Sequence, residues 1–176
     1  MKKLVITALA LFVSVATFAQ SEAFTKFYNK YADNDQFTQV TVTSKMFSLF
    51  TEIEGETPED KEVLEAISKL KGLKVLAADS IKDGRKYYKE AFAGINGTGF
   101  EELMTVRDGK DDMKFMIKEN GGKISELLML VGGDTKFVFI SLYGEIDLKQ
   151  MSKMSKSLNI GGMQYLQNLD ESKNKK

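Results

Sequence analysis

The feature that most constrains the fold is a series of tight turns in the second half of the chain. Four short segments rich in Gly, Asn and Asp interrupt it, at residues 96–99, 108–109, 120–122 and 132–134. Asp-Gly and Asn-Gly favour hairpins because Asn, Asp and Gly tolerate positive φ. The segments between the turns have strand-like patterns, which predicts an antiparallel meander of four strands, at Phe100–Arg107, Met113–Glu119, Ile124–Val131 and Lys136–Tyr143.

The apolar pattern of these strands predicts their depth. From Met113 to Lys118, one side is apolar and the other mainly cationic, as in a strand with one face towards solvent. Leu127–Val131 and Phe137–Ile140 are apolar throughout. These two stretches are therefore predicted to be interior strands.

The first half of the chain has mixed helix and strand patterns. Ser21 can cap a helix from Glu22 to about Ala32, which carries an aromatic stripe of Phe24, Phe27, Tyr28 and Tyr31. Such a stripe is typical of a helix packed on a sheet, and a ligand groove is the alternative interpretation. The elements predicted after it are a strand at Phe37–Thr43, a short helix from Ser44, a helix ended by Gly72, a strand at Leu73–Ala78 and a helix at Lys86–Ile95.

Caps and apolar spacing give the two middle helices their predicted orientation. In the short helix, Met46, Phe47, Phe50 and Ile53 are expected to face the core. Thr57 as cap, Pro58 at the first helical position and Asp60 in the first turn mark the start of the next helix. Its inward residues are expected to be Val63, Leu64, Ile67 and Leu70.

These elements predict an α+β fold with one mixed sheet of about six strands and helices packed on one face. The two helices between the first two strands are long enough for a crossover, which is compatible with a parallel pair. Residues 20–169 are expected to form a single domain, followed by a charged, flexible tail at 170–176. A last helix, capped by Asp147 and ended by Gly161-Gly162, completes the domain.

The first nineteen residues resemble a secretory leader. Lys2 and Lys3 precede an apolar run from Leu4 to Phe18, and Ala19 provides a small residue for cleavage before Gln20. A transmembrane anchor would need about 20 apolar residues. The lack of cysteine excludes an acyl anchor at the cleavage site. The processed chain is therefore expected to be periplasmic or secreted, without a stable membrane anchor.

Composition restricts the chemistry open to the chain. It contains no histidine and no cysteine, which excludes Ser-His-Asp triads, Cys-His pairs and the usual zinc and copper sites. Without the leader it has 23 basic and 25 acidic side chains, so nothing in its charge favours nucleic acid. No catalytic, cofactor-binding or metal-binding residue can be assigned, and no cofactor is expected.

Three local clusters have a functional and a structural interpretation. Asp33-Asn34-Asp35 and Asp108–Asp112 have the carboxylate density of calcium loops, but lack the ligand spacing, and turns are favoured. Arg85–Lys89 combines cations with two tyrosines, which would suit an anionic glycan or headgroup. An amphipathic first turn, with Tyr88, Ala91, Phe92 and Ile95 inward, is the favoured interpretation.

Three phrases of the second half resemble the domain-of-unknown-function family numbered 4252: Phe100–Met104, Lys123–Leu127 and Ser141–Leu148. The resemblance covers roughly the whole processed domain. It implies a secreted or envelope protein of Bacteroidetes and supplies no catalytic role. Members often look like lipoproteins, and this chain, which lacks cysteine, departs from that pattern.

The sequence favours a non-enzymatic exported module that binds an envelope protein or takes part in an envelope response. The first alternative is a carrier or binder of a lipid or another apolar small molecule. The second is a carboxylate-based hydrolase, which requires two acidic side chains converging in a cleft at roughly 5–9 Å. The sheet face left uncovered by the first and last helices is the predicted place for a partner or an apolar ligand.

Overall fold

The computed structural model describes residues 20–52 and 57–150. Its elements in chain order are α1 Glu22–Lys30, β1 Thr38–Thr43, α2 Ser44–Phe50, α3 Pro58–Ser68, β2 Leu70–Asp79, α4 Gly84–Ile95, β3 Glu101–Arg107, β4 Asp111–Asn120, β5 Lys123–Gly133 and β6 Lys136–Ile146. Residues 148–150 begin a further helical turn. The predicted α+β class is confirmed, while the leader, Ile53 and the predictions for residues 151–176 lie outside the described residues.

All six strands form one open sheet in the order β1-β2-β6-β5-β4-β3. Strands β3 to β6 form the predicted meander, and β5 and β6 occupy the two central positions, as their apolar patterns predicted. The sheet is antiparallel throughout rather than mixed, because β1 and β2 pair antiparallel. The α2–α3 connection is long enough for a crossover but does not make one, and β2 pairs antiparallel with both its neighbours.

Helices α1 and α4 cover one face of the sheet, which we call the first face. Their apolar sides meet alternate residues of the central strands, including Leu76, Leu128, Leu130, Phe137 and Phe139. The predicted aromatic stripe of α1 is part of this core: Phe24 is fully buried and its ring centroid lies 4.5 Å from that of Phe139. The core interpretation of the stripe is confirmed.

The opposite, second face has its own smaller core at one end. Ala66 of α3 packs there with Leu70, Ile117, Leu127, Leu142 and Ile146, and Phe47, Val63 and Ile67 pack against this cluster. The helices therefore lie on both faces and not on one. Successive side chains of a strand point to opposite faces of the sheet. Because β5 and β6 are apolar at successive positions, both faces of the sheet need to be covered.

Local signals fix most of the helix starts. The Ser21 side chain accepts the N–H of Phe24, and Thr57 and Asp60 form a complete capping box at α3. Gly72, predicted to end that helix, lies inside β2. A Cβ on Gly72 would lie 2.3 Å from the Tyr143 hydroxyl, so this glycine makes room for a ring of the neighbouring strand.

Candidate functional site

Strand β1 forms one edge of the sheet with a regular ladder. Each residue from Thr38 to Thr43 is in register with β2, without a bulge. Its other edge has no partner strand in the described part of the chain. The sequence Thr-Gln-Val-Thr-Val-Thr contains neither a charged residue nor proline, the usual devices that protect an edge from further pairing. With respect to residues 20–52 and 57–150, the free edge of β1 can therefore accept an extended segment.

The exposed apolar side chains gather at this same edge. Among the described residues, the large hydrophobic side chains that remain exposed are Val40 at 43%, Met46 at 47%, Leu49 at 46% and Phe50 at 42%. Val40 belongs to β1 and the other three to α2, the helix that directly follows. We call these four residues the β1/α2 patch.

The patch corrects the predicted orientation of α2. Sequence periodicity placed Met46 and Phe50 inward with Phe47, and the structure exposes both of them. Met46 and Phe50 lie four residues apart on one side of a seven-residue helix, whereas Phe47 lies on another side and packs on the second-face cluster. A helix of two turns can bury one stripe only, and Phe47 occupies it.

The β1/α2 patch is continuous with a row of apolar residues across the second face. Register partners follow one another from edge to edge of the sheet, one residue in each strand: Val40, Val75, Ile140, Met129, Phe115 and Met104. Helix α1 lies on the other face and does not cover this row. The last helix, whose predicted span runs beyond residue 150, lies mostly outside the described residues. Beyond Val40, Phe115 is fully buried and the other residues of the row are half-buried, so the exposed apolar surface is that of the β1/α2 patch itself.

A buried carboxylate joins the sheet to the start of α1 on the first face. Glu126 of β5 is 1% exposed, and its Oε1 accepts a hydrogen bond of 2.6 Å from the hydroxyl of Ser141. The backbone N–H of Ser21 donates to Oε2 over 2.8 Å, and the Ser21 hydroxyl donates to Oε1 over 3.2 Å. Burial raises the pKa of Glu126, and these hydrogen bonds and the charge of Lys118 oppose the rise.

Sequence analysis gave Glu126 no separate role. The available signal was a single acidic residue before an apolar run, at a position that alternation assigns to the core. An inward carboxylate in a central strand requires partners, since a buried charge without them is costly. The partners come from β6 and from the residue before α1, and only the fold brings them together.

The acidic cluster of the β3–β4 hairpin is bound by the protein's own cations. Asp112 accepts hydrogen bonds from Arg85 and Arg107, each at 2.7 Å, and Asp111 forms an ion pair of 2.6 Å with Lys136. Asp108 accepts the backbone N–H of residues 110 and 111, which lowers its pKa and closes the turn. The preferred turn interpretation accounts for this segment.

The other acidic segment also forms a turn. The Asn34 side chain accepts the N–H of Gln36, and the Asn34 carbonyl accepts the N–H of Phe37. In residues 20–52 and 57–150, no three acidic side chains converge in a way that could hold a metal ion. The geometry of neither segment requires a bound cation.

The Arg85–Lys89 segment has the predicted amphipathic arrangement. Ala91 and Ile95 are buried, and Tyr87, Tyr88 and Phe92 pack against the first-face core. Arg85 reaches Asp112 and Asp134. The tyrosines and Arg85 thus have structural partners within the fold.

The described residues define a small α+β domain with an open antiparallel sheet, helices on both faces and an unprotected apolar edge. The chain belongs to the family described as Domain of unknown function (DUF4252), whose model matches residues 28–154. The resemblance predicted from the strand and turn phrases is confirmed. No curated protein and no solved structure matches the chain. Within the described ranges, no helix is long and apolar enough to cross a bilayer.

Proposed function

We propose that this protein is exported and acts without catalysis, as a module that binds an extended apolar segment of another envelope protein along β1 and α2. The observation that carries the proposal is the β1/α2 patch, in which exposed apolar side chains flank a regular, uncharged strand edge. An added strand would gain backbone hydrogen bonds from β1 and apolar contact from α2.

The rest of the described structure supports this choice over a hydrolase. The buried carboxylate and those at the start of β4 have partners within the protein: Glu126 accepts hydrogen bonds from two serines, Asp112 pairs with Arg85 and Asp111 pairs with Lys136. A hydrolase needs two carboxylates free to face a substrate in one cleft. The β1/α2 patch offers apolar surface and unpaired backbone groups, which suit recognition of a peptide.

Export is the second part of the proposal. The leader pattern at residues 1–19 supports it, with cleavage between Ala19 and Gln20. Fractionation of the producing cells, with mass spectrometry of the purified chain, tests it. We expect a chain that begins at Gln20 outside the cytoplasm, and an intact leader on cytoplasmic protein would contradict it.

Site-specific photocrosslinking tests the docking surface. A photoreactive residue replaces Leu49 in the full-length protein, and as a matched control replaces Ala93, an exposed position of α4. We expect position 49, but not position 93, to crosslink to one defined apolar segment of an exported protein. A synthetic peptide of that segment should bind the purified protein and should bind the Leu49→Ser, Phe50→Ser variant at least about tenfold more weakly.

Two outcomes would overturn the interaction. One is the same crosslinking pattern from positions 49 and 93. The other is a lipid or another apolar small molecule that co-purifies with the protein and crosslinks at position 49. That result would assign the patch to an apolar-ligand carrier, the alternative function.

A further inference from the structure

The start of α1 approaches a carboxylate that has no cation of its own. Glu126 is not part of any ion pair in the described residues, and the charge that acts on its pKa is that of Lys118, its register partner on β4. The Lys118 ammonium lies 5.6 Å from the ring centroid of Phe100, in a cation–π arrangement. On the β6 side the register partner of Glu126 is the phenol Tyr143, and the hydroxyls of Ser141 and Ser21 donate hydrogen bonds to the carboxylate.

Gln20, the residue that follows the predicted cleavage site, lies close to this carboxylate. The backbone nitrogen of Ser21 is 2.8 Å from Glu126 Oε2. One residue spans at most about 3.6 Å, so the nitrogen of Gln20 lies within roughly 6–7 Å of the same oxygen. Before cleavage that nitrogen is a neutral amide, and after cleavage between Ala19 and Gln20 it is an α-amino group with a positive charge.

We propose that removal of the leader creates an ion pair between the new α-ammonium group of Gln20 and the buried carboxylate of Glu126, which fixes the start of α1 to the sheet in the processed protein. This inference rests on the proposed export. The surroundings favour it, because Glu126 is 1% exposed and the hydrogen bond from the Ser21 N–H already brings this stretch of backbone to the carboxylate. Opposite charges interact more strongly where water is excluded.

The ion pair has a consequence for both titrating groups. In the geometry described, burial is the largest influence on the pKa of Glu126 and raises it. A cation at the new terminus stabilises the charged form and lowers that pKa, and the carboxylate raises the pKa of the amine. The amine is the better probe, because an α-amino group ordinarily titrates near 7.7–8.0, apart from the lysines.

The test uses protein that has been exported and processed from the full-length gene. Mass spectrometry first identifies the N-terminus as Gln20. Reductive methylation with ¹³C-formaldehyde then labels the amines, and NMR follows the α-amine as pH changes. We expect its pKa to lie about one unit above the ordinary range, which is a tenfold change in the protonation equilibrium. Glu126→Gln should return it to that range.

Two controls isolate the ion pair. Glu119→Gln removes the same charge from an exposed position of β4 and should leave the amine pKa unchanged. Cyclisation of Gln20 provides a second control in the wild-type chain: the α-nitrogen attacks the side-chain amide carbon, a C–N bond forms and ammonia leaves. The pyroglutamyl chain has no α-ammonium group and needs no mutation, so it remains informative if Glu126→Gln does not fold.

The pyroglutamyl chain also tests the effect on stability. Without the ammonium, the pKa of Glu126 is raised, so the contribution of Glu126 to stability is fully present below the ordinary carboxyl range and is lost as pH rises through the folded-state pKa. The processed chain with a free amine should lose less stability over that interval. Equal pH profiles for the two chains would contradict the ion pair.

The outcomes separate this inference from the proposed export. An N-terminus other than Gln20 would overturn the predicted cleavage site and the ion pair together. An N-terminus at Gln20 with an amine in the ordinary pKa range, unchanged by Glu126→Gln, would overturn the ion pair alone. Neither result depends on the β1/α2 patch or its partner.

Discussion

The two edges of the sheet are built in opposite ways. Strand β3 carries Glu101, Glu102 and Arg107, and a register shift between residues 102 and 104 interrupts its ladder with β4. Strand β1 has no charged residue and no register shift. Charges and bulges prevent a sheet edge from pairing with other chains. The difference shows that one edge is protected against strand addition and the other is not.

The apolar surroundings strengthen this contrast. At the β1 edge, Val40 is exposed beside three exposed apolar residues of α2. At the β3 edge, Met104 and Val106 are half-buried, and Glu102 forms an ion pair with Lys114 and accepts a hydrogen bond from Thr105. The same sheet therefore ends in a polar, bulged edge on one side and an apolar, regular edge on the other.

The largest expected effect is on stability, and it concerns Gly144 of β6, which pairs with Leu70 at the start of β2. Strand β1 pairs with β2 and therefore depends on this contact. Gly144 has a φ of +141°, and a Cβ there would lie 2.6 Å from the Lys69 carbonyl oxygen and 2.8 Å from the Leu70 Cα. Gly144→Ala should destabilise the protein by more than about 2 kcal/mol in denaturant unfolding. Hydrogen exchange should become faster in β1 and β2 than in β3.

Gly94→Ala is the matched control for this substitution. A Cβ at Gly94 would meet nothing within 4 Å, and the residue lies in α4. Alanine is preferred to glycine in a helix, so this variant should be neutral or more stable by about 0.5–1 kcal/mol. A comparable loss of stability in both variants would contradict the prediction that the close backbone contact between Gly144 and the start of β2 requires glycine.

The second effect is on partner binding. Val40→Lys places a charge on β1 and makes it resemble β3, so the crosslinked segment should bind at least about tenfold more weakly, while stability changes by less than about 0.5 kcal/mol. Glu101→Lys, which keeps the β3 edge charged, should leave binding unchanged. Titration of a labelled peptide measures both. An equal loss of peptide affinity in the two variants would indicate that added positive charge weakens binding wherever it is placed, and would contradict a specific role for the β1 edge.

The third effect is on self-association, and it is tested by replacing charged residues of the β3 edge with threonine. In a Val40→Lys background, Glu101→Thr with Arg107→Thr removes two of the three charges of β3 and leaves Glu102 and the bulge. We expect concentration-dependent association in sedimentation experiments that the Val40→Lys protein alone does not show. If the protein with all three substitutions does not associate, the bulge and Glu102 are sufficient protection, and the charges of Glu101 and Arg107 are dispensable.

The smallest effect is the contribution of the Glu102–Lys114 ion pair. The hydrogen bond from Lys114 lowers the pKa of Glu102, so the stabilisation is present above the ordinary carboxyl range and is lost as pH falls through the lowered pKa. Because Glu102 is about half exposed, we expect less than about 1 kcal/mol. Glu102→Gln should remove this pH dependence in thermal unfolding, and Glu101→Gln should retain it.

Sequence reasoning was most successful where the information was local. The Gly-containing turns correctly indicated the four-strand meander, and the uniformly apolar stretches correctly indicated the central strands β5 and β6. Ser21 and Thr57 cap the helices that they were expected to cap. Each of these signals acts within a few residues, through backbone geometry or strand depth, and does not depend on the rest of the fold.

Predictions about neighbours in space were less successful. The orientation of β1 against β2 was open in the sequence, because the length of a connection permits both arrangements. The exposure of Met46 and Phe50 depends on which side of α2 meets the second face, and apolar spacing alone does not specify that side. The candidate site consists largely of these features, which explains why no residue of it could be assigned from the sequence.

The sequence by itself determined the strands of the meander, the capped helices, the absence of thiol and imidazole chemistry and the likeness to the family. These properties depend on composition or on short stretches of chain. The tertiary structure alone decided which strand became an unprotected edge, which hydrophobic residues stayed exposed there and how Glu126 meets the start of α1. Those features depend on contacts between residues far apart in the chain, such as Ser21 and Glu126, and are specified by packing rather than by any local pattern.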